Sequence, residues 1–224
     1  MAATHSNNSI LRESIRLVGS GVAGQVVALL LLAVIGRQYD QETMGVLGSF
    51  LSWGGLLAIA SGARYEQGIV VASVEDDAHT LYHLALRISL IFTLILLPIA
   101  LVIGYTNPSL TPLGTSIYAL PFFVLLSTWY NASALWELRH KRYKILAKMQ
   151  FIKGVGNNLL KAVFGFVAAT IGSLITAQIL SLVTTFPLFF RSLKKGSKAP
   201  KTTSLGSVAK KYRGFPRYGI VQAL

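Results

Sequence analysis

The chain has 224 residues, of which 53% are hydrophobic and only 13% are charged, and its mean hydropathy is +0.56. Soluble domains usually carry about 25% charged residues, so this composition excludes an ordinary soluble domain and indicates an integral membrane protein. The formal net charge is +13, but the basic residues flank apolar segments, so we attribute them to the positive-inside bias and to anionic membrane lipids and expect no nucleic-acid partner.

Six segments approach the length of about 20 mostly apolar residues that a membrane-spanning helix needs. Each is too long and too continuously apolar for a strand of a membrane β-barrel, in which polarity alternates over about ten residues. The sequence therefore predicts an all-α integral membrane protein whose six transmembrane helices form one bundle. The predicted windows are 15–35, 44–63 with a possible extension to 72, 84–104, 114–135, 151–171 and 173–190.

Every second loop between these windows is basic, which predicts that both termini are cytoplasmic. All eight acidic residues lie at or before Glu137, whereas nine of the 21 basic residues lie from Arg191 onward. The predicted organisation has four parts: a cytoplasmic amino-terminal segment, the bundle, a basic cytoplasmic linker without apolar periodicity, and the start of a truncated seventh span. Their bounds are 1–14, 15–190, 191–211 and 212–224.

Two opposite charges, Arg64 and Glu66, interrupt the apolar character at the end of the second window. If that helix continues to about Ala72, both residues lie within it, and an ionisable residue at bilayer depth costs about 2.5–3.5 kcal/mol on insertion scales. Residues two apart on a helix point about 200° away from each other, so we expect no direct pair. Arg64 is either an anion contact in a polar cavity or, with Glu66, an interfacial anchor of the helix end.

A second charge, Lys161, lies deep in the fifth window on a stripe of small and polar residues. Such a stripe is expected to face the bundle interior, where Asn157 and Lys161 line a cavity. The alternatives are snorkelling of the lysine or an amide-lined packing seam. The stripe consists of Gly154, Asn157, Asn158, Lys161, Gly165, Ala168 and Gly172.

Two residues of the first window complete the set of candidate cavity-lining residues. Arg16 is either a positive-inside marker or a cavity residue, and Gln25 is a candidate polar lining residue near mid-span.

Catalytic and metal-binding patterns are missing from the sequence. It has no cysteine, no Gly-rich phosphate loop, no paired carboxylates at metal-ligand spacing and no Ser, His and Asp constellation. His79 and His83 are four residues apart, but they adjoin an acidic turn and fit a solvated or interfacial pair better than a metal site. We therefore expect neither an enzyme nor a cofactor or metal.

Three short motifs resemble segments of the bacterial polysaccharide-biosynthesis flippases, which belong to the multidrug/oligosaccharidyl-lipid/polysaccharide exporter superfamily. The stretch GARYEQGIV at 62–70, followed by EDDA at 75–78, is similar to their segment after the second span. WELR at 136–139, with Tyr143 and Ala147, resembles their basic loop after the fourth span. The residues YR, FP and Y within 212–218 resemble the entry to their seventh span.

The resemblance implies a carrier that moves an undecaprenyl-pyrophosphate-linked oligosaccharide across the bacterial inner membrane, coupled to an ion gradient, for O-antigen in lipopolysaccharide, for capsule or for exopolysaccharide. It implies this lipid-linked oligosaccharide as cargo, and the polysaccharide polymerase and chain-length machinery as partners. Members of the family have two six-helix bundles. We therefore expect this chain to be a fragment or a truncated protein that lacks its carboxyl-terminal six-helix half.

Two other functions stay open at this point. A drug/cation antiporter of the same superfamily would favour carboxylates within the spans, whereas Glu66 and Glu137 are the only acidic residues near any span. A non-transporting membrane scaffold would instead present the basic loops to partners or lipid.

Overall fold

The computed structural model describes residues 25–106, 113–188, 190 and 205–219. Within these residues the chain forms helices and no strand, which confirms the predicted all-α class. A 3-10 helix, Gly114–Ala119, precedes α5, and a turn of π-helix, Phe215–Gly219, follows α8. The α-helices are α1 (Gln25–Gln38), α2 (Gln41–Ser61), α3 (Tyr65–Val71), α4 (Glu75–Thr106), α5 (Leu120–Arg139), α6 (Tyr143–Val167), α7 (Ile171–Val183) and α8 (Leu205–Lys211).

Three helices are long and apolar enough to cross a membrane, namely α2, α4 and the segment Ile171–Leu188 that continues α7. The described part of α1 is apolar but shorter. α5 and α6 do not meet the same criteria, and α6 has lysines along its whole length, at 144, 148, 153 and 161. The six-span bundle therefore stays a prediction.

The longest helix, α4, is apolar on its outer face and small or polar on its inner face. Outward side chains include Leu94 and Val102, which are 63% and 60% exposed. The buried residues on the opposite face include Ala85, Ser89 and Thr93. A helix in water would have the reverse arrangement, so the outer face of α4 suits a hydrocarbon solvent. These contrasting faces are compatible with a membrane protein.

The predicted continuation of the second helix through Arg64 is wrong. α2 ends at Ser61, and the chain turns at Ala63 and Arg64, which both have left-handed backbone angles, with φ of 48° and 58°. This conformation costs about 1–2 kcal/mol per non-glycine residue. The turn lets α3 pack against α4 and α5 with Tyr65 and Ile69 buried, and this burial offsets the cost.

Other helix boundaries also differ from the predicted windows. α4 begins at Glu75 rather than near residue 84, because its acidic first turn favours the amino-terminal end of a helix. Its 32 residues span about 48 Å at 1.5 Å per residue, which exceeds the hydrocarbon core of a bilayer. α6 ends at Val167, because Thr170 and Ser173 form a capping box that starts α7.

The helices place their charges mainly at one end of the bundle, which we call the basic end. α5 is the central helix and contacts α2, α3, α4, α6 and α7. The α2–α3 break, the start of α4, the α5–α6 junction and α8 lie at the basic end, and the α1–α2 junction and the α6–α7 hairpin lie at the other. Described basic residues at the basic end include Arg64, Arg139, Lys141, Arg142, Lys144, Lys148, Lys210, Lys211, Arg213 and Arg217.

The final part of the predicted linker has regular structure. Residues 205–211 form α8, and Val208 is buried against α3 and α4. Burial of one apolar side chain and contacts with α4 stabilise this short helix where the local sequence gives no periodic signal. The proposed amino-terminal segment, Arg16 and residues 191–204 and 220–224 lie outside the described residues.

The crossing of α2 and α5 depends on the glycine at position 54. The Phe123 ring lies directly against Gly54 and 5.2 Å from the ring centroid of Phe50. A Cβ atom at position 54 would overlap two carbons of the Phe123 ring, whereas a Cβ atom at the neighbouring Gly55 would meet open space. The two glycines of α2 therefore have different roles.

We expect Gly54→Ala to lower the free energy of unfolding by about 1–3 kcal/mol, because it overpacks the core at Phe123. Gly55→Ala is the matched control and should be neutral or stabilising by up to about 1 kcal/mol, because alanine favours helix. The measurement is the midpoint of thermal unfolding of the purified chain in detergent. Equal midpoints for the two variants would contradict the close α2–α5 packing.

Candidate functional site

Lys161 lies in the interior of the protein, at the level where α6 is joined to two other elements. Its side chain is 7% exposed. The hydroxyl of Tyr39, in the α1–α2 junction, donates a hydrogen bond to the Lys161 carbonyl oxygen at 2.9 Å and lies 3.1 Å from Ser173 Oγ of α7. Tyr39 therefore joins the backbone at Lys161 to the α1–α2 junction, and its hydroxyl also contacts α7.

Three polar residues of α6 face the interior at four-residue spacing. Asn157 is half-buried, and its Oδ1 is buried with no hydrogen-bond partner among the described residues. One turn earlier, the Lys153 ammonium lies 4.1 Å from the ring centroid of Tyr130 on α5. Such a cation–π contact stabilises the Lys153 ammonium without a carboxylate partner. Lys153, Asn157 and Lys161 therefore form one inward stripe.

The predicted stripe on α6 is only partly correct. Asn158 donates from its side-chain amide to the carbonyl oxygen of Gly154 in its own helix, at 3.1 Å, and Gly154 is exposed. These two residues therefore belong to another face of α6. Each follows a residue of the inward stripe by one position, and one position corresponds to a rotation of about 100° around a helix. Gly165 does face inward, against the side chain of Gln38.

Two further residues have buried amide atoms, namely Gln38, whose side chain lies against Gly165 of α6, and Gln178 of α7. Both polar atoms of the Gln38 side chain and Oε1 of Gln178 have no hydrogen-bond partner among the residues that the structure describes. Buried polar groups are normally hydrogen-bonded, and leaving one unsatisfied costs about 1–3 kcal/mol. We call Lys153, Asn157, Lys161, Gln38 and Gln178 the polar interior set. Its amides are available to a polar ligand or to water.

The polar interior set is cationic. None of the ion pairs among the described residues includes Lys153 or Lys161. A buried ammonium without a carboxylate partner favours an anion or water beside it, because desolvated charge is costly. The set can therefore bind an anionic group and supply neutral hydrogen-bonding amides around it.

A second polar cluster lies at the basic end and is centred on Glu75, the first residue of α4. Arg139 donates from Nε to one carboxylate oxygen at 3.0 Å, and His140 Nε2 lies 2.7 Å from the other. His140 Nδ1 lies 2.8 Å from the carbonyl oxygen of Trp136. Both ring nitrogens of His140 thus face oxygen atoms, one of Glu75 and one of the Trp136 backbone.

Arg139 also completes the end of α3. Its Nη1 donates to the carbonyl oxygens of Ile69 and Ala72 at 2.8 and 2.7 Å. The last carbonyls of a helix lack partners in their own helix, and a cation there also interacts favourably with the helix dipole. One guanidinium therefore joins α3, α4 and α5, and it brings together two of the stretches noted in the sequence, 62–78 and 136–143.

We expect Arg139→Ala to destabilise the protein by about 2–4 kcal/mol, because two carbonyls and the Glu75 carboxylate lose charged hydrogen-bond donors. Release of α3 should also make the Arg64 bond more sensitive to trypsin, and the measurement is the rate of that cleavage. Lys148→Ala, which alters an exposed lysine of α6, is the control and should leave the rate unchanged. An unchanged rate in Arg139→Ala would show that α3 is held independently of Arg139.

Arg64 lies in the break between α2 and α3, and Glu66 lies in the first turn of α3. Arg64 is half-buried, and Glu66 is 6% exposed, with its Oε2 lacking a hydrogen-bond partner among the described residues. Gly62 lies directly beside it, and a Cβ atom there would overlap this oxygen unless the Glu66 side chain moved. Burial raises the pKa of Glu66, while a backbone hydrogen bond and the charge of Arg64 offset part of the shift. The charge of Arg64 therefore acts on Glu66, and the expectation that the two side chains form no direct pair stays a prediction.

The raised pKa of Glu66 predicts a pH dependence of stability. Its stabilising contribution is fully present below the ordinary glutamate value of 4.5 and is lost as the pH rises through the higher pKa of the folded state. We therefore expect Glu66→Gln to unfold at a higher temperature than the parent protein at pH about 8 and to lose part of the parent's pH dependence. Glu42→Gln, at an exposed position, is the control. A Glu66→Gln profile that parallels the parent's at all pH values would contradict this prediction.

The structure brings together some of the candidate site residues predicted from the sequence. Asn157 and Lys161 share the interior stripe, and Arg64 lies next to the start of α3, which carries Glu66. Gln25 is exposed at the first described position of α1 and joins neither group. Arg16 lies outside the described residues.

Sequence analysis missed several residues of the two clusters. Lys153 precedes Asn157 by four residues, so helical spacing alone could have placed it on the same face. Arg139 is the last residue of the WELR motif at 136–139, but the sequence predicted no role for it. Gln38 and Gln178, like Tyr130 beside Lys153, are placed by tertiary packing alone, for which a single sequence gives no signal.

The histidines at 79 and 83 lie in contact, with ring centroids 4.6 Å apart, and the His79 ring is 5.9 Å from that of Trp136. No group of three histidines, cysteines or carboxylates suited to a metal ion occurs in the part of the chain that the structure describes.

Comparisons of the chain with protein-family models, curated proteins and solved structures found no match.

Proposed function

We propose that the chain is the amino-terminal six-helix bundle of a carrier that moves a polyprenyl-pyrophosphate-linked oligosaccharide across the bacterial inner membrane for surface polysaccharide biosynthesis. The observation that carries the proposal is the buried Lys161, on a polar face of α6 inside a protein whose outer surface is apolar. The resemblance of the sequence motifs to this family supports the same function.

The chemistry of such a cargo fits the polar interior set. A pyrophosphate diester is anionic and needs cationic donors away from the lipid, and the attached sugar offers hydroxyl groups to neutral amides. Lys153 and Lys161 supply the charge, and Asn157 and Gln178 supply amides with free hydrogen-bonding capacity. The polyprenyl chain would stay in the lipid beside the bundle.

The orientation that we propose places the basic end at the cytoplasmic side, following the positive-inside bias. A cargo made in the cytoplasmic leaflet would then meet Arg64 before it reaches Lys161. Anionic lipids would contact the exposed basic residues of this end, such as Lys144 and Lys148. A complete carrier would add a second six-helix half, and the two halves would rock around a site between them.

A cation carrier fits the same interior less well. Glu66 and Glu137 are buried, but both lie at the basic end, whereas the polar interior set contains two lysines and no carboxylate. A cationic drug would therefore meet like charge in the interior.

The proposed function predicts that Lys161→Gln lowers surface polysaccharide at least about tenfold, because loss of a buried charge contact costs about 2–5 kcal/mol. Arg64→Gln should lower it as well. The measurement is polymer on the surface of cells that express the full-length gene, in a strain whose chromosomal copy is deleted. Protein abundance and membrane insertion are measured in the same cells and should be unchanged.

Two variants serve as controls. Lys148→Gln removes an exposed charge from the same helix and should leave the polymer unchanged, and Lys161→Arg keeps the cation and should retain part of the activity. Normal polymer from Lys161→Gln would overturn the assignment of Lys161. Normal polymer after deletion of the gene, together with increased drug sensitivity, would favour the antiporter.

A further inference from the structure

Residues 205–217, which we call the docked segment, lie against α3 and α4 at the basic end. Val208 is the one buried side chain of α8, at 1% exposure. The hydroxyl of Tyr65 on α3 donates to the carbonyl oxygen of Ala209 at 3.4 Å, and the Phe215 ring lies beside Gly68. The segment therefore covers the amino-terminal half of α3.

One carboxylate holds the polar side of this interface. Asp77 of α4 is 5% exposed, and its Oδ2 accepts from Lys211 Nζ at 2.5 Å and from the Tyr212 hydroxyl at 3.2 Å. The hydrogen bond and charge of Asp77 raise the pKa of Lys211. The lysine side chain itself is 57% exposed, so salt in solution can reach the ion pair.

The two surfaces have opposite charge. The docked segment contains four basic residues and no acidic residue, whereas the first turn of α4 has three consecutive acidic residues. The apolar part of the contact consists of the buried Val208, with Ala209 and Tyr212 packed beside it, and α8 has only seven residues. Segments with few buried apolar contacts open locally without global unfolding. Burial of Val208 and the Asp77–Lys211 ion pair hold the segment in place, and the ion pair is the part of the contact that salt can weaken. The four basic residues are Lys210, Lys211, Arg213 and Arg217.

From this geometry we propose that the docked segment is an electrostatic latch, which undocks from and redocks onto the α3–α4 surface with the Asp77–Lys211 pair as its catch. Undocking uncovers Tyr65 and Gly68 and hydrates the Asp77 carboxylate. α3 then keeps its contacts with α4 and α5, including those with Arg139. α3 carries Glu66 and follows Arg64. The latch therefore controls how stably α3 and these two charged residues are held at the basic end. The latch does not depend on the transport function proposed above.

The latch is testable by thiol labelling, because the chain has no cysteine and any introduced cysteine is labelled without background. Val208→Cys places a thiol under the latch, and Gly206→Cys places one in open space on the same helix. The full chain in native membranes is treated with a membrane-permeant maleimide, and the labelling rate is measured at low and at high salt. At low salt we expect position 208 to react at least about tenfold more slowly than position 206.

High salt, or the substitution Asp77→Asn, should raise the rate at position 208 toward that at position 206 and leave position 206 unchanged. Lys211→Gln should act like Asp77→Asn, and the two combined should have no larger effect than either alone. Lys210→Gln removes the same charge from an exposed neighbour and is the matched control, with no effect expected.

Two results would overturn the latch. Equal rates at positions 206 and 208 at low salt would show that the segment is not docked. Slow labelling at position 208 that persists at high salt and in both catch variants would show a fixed contact that does not depend on charge. Because Lys211 is largely exposed, Lys211→Gln tests the catch even if Asp77→Asn disturbs folding.

Discussion

The contact between Arg139 and the end of α3 is the interaction on which the basic end depends. α3 has only seven residues, too few to be stable alone, and its final carbonyls point away from any donor of its own. Arg139 supplies those donors from α5 and reaches Glu75 of α4 with the same guanidinium. A lysine in its place could not form this fork, because its ammonium is a single point of charge. Three helices therefore share one side chain.

A second constraint is the solvent around the bundle. Apolar side chains cover the outer face of α4, and its serine, threonine and small residues turn inward, where Trp129 Nε1 donates to Ser89 Oγ at 3.0 Å. The same rule explains why the polar face of α6 is internal, because hydrocarbon offers no partner to an amide or an ammonium. The same solvent preference therefore places Lys153 and Lys161 inside the protein and Leu94 on its outer surface. The interior polarity is a consequence of the environment and also the feature that suits an anionic cargo.

Hydropathy and spacing predicted the helical class and the inward direction of Asn157 and Lys161, because both follow from periodic patterns within one helix. They could not predict the break at Ala63 and Arg64. Two non-glycine residues in the left-handed region are locally unfavourable, and only the tertiary burial of Tyr65 and Ile69 makes them stable. Arg139 shows the same limit, since its partners lie about 70 residues away in the sequence. The hydrogen-bond geometry of the site could not be predicted from one sequence.

The two ends of the bundle are held by different forces. At the end away from the basic end, neutral hydrogen bonds of Tyr39 and the capping box before α7 join α2, α6 and α7, and salt has little effect on such contacts. At the basic end, Glu75 pairs with Arg139, which holds the end of α3, and Asp77 pairs with Lys211 of the docked segment, and solvent reaches both ion pairs. The break after Ser61 stores backbone strain beside these ion pairs. The contacts of the basic end are therefore the ones that salt can weaken.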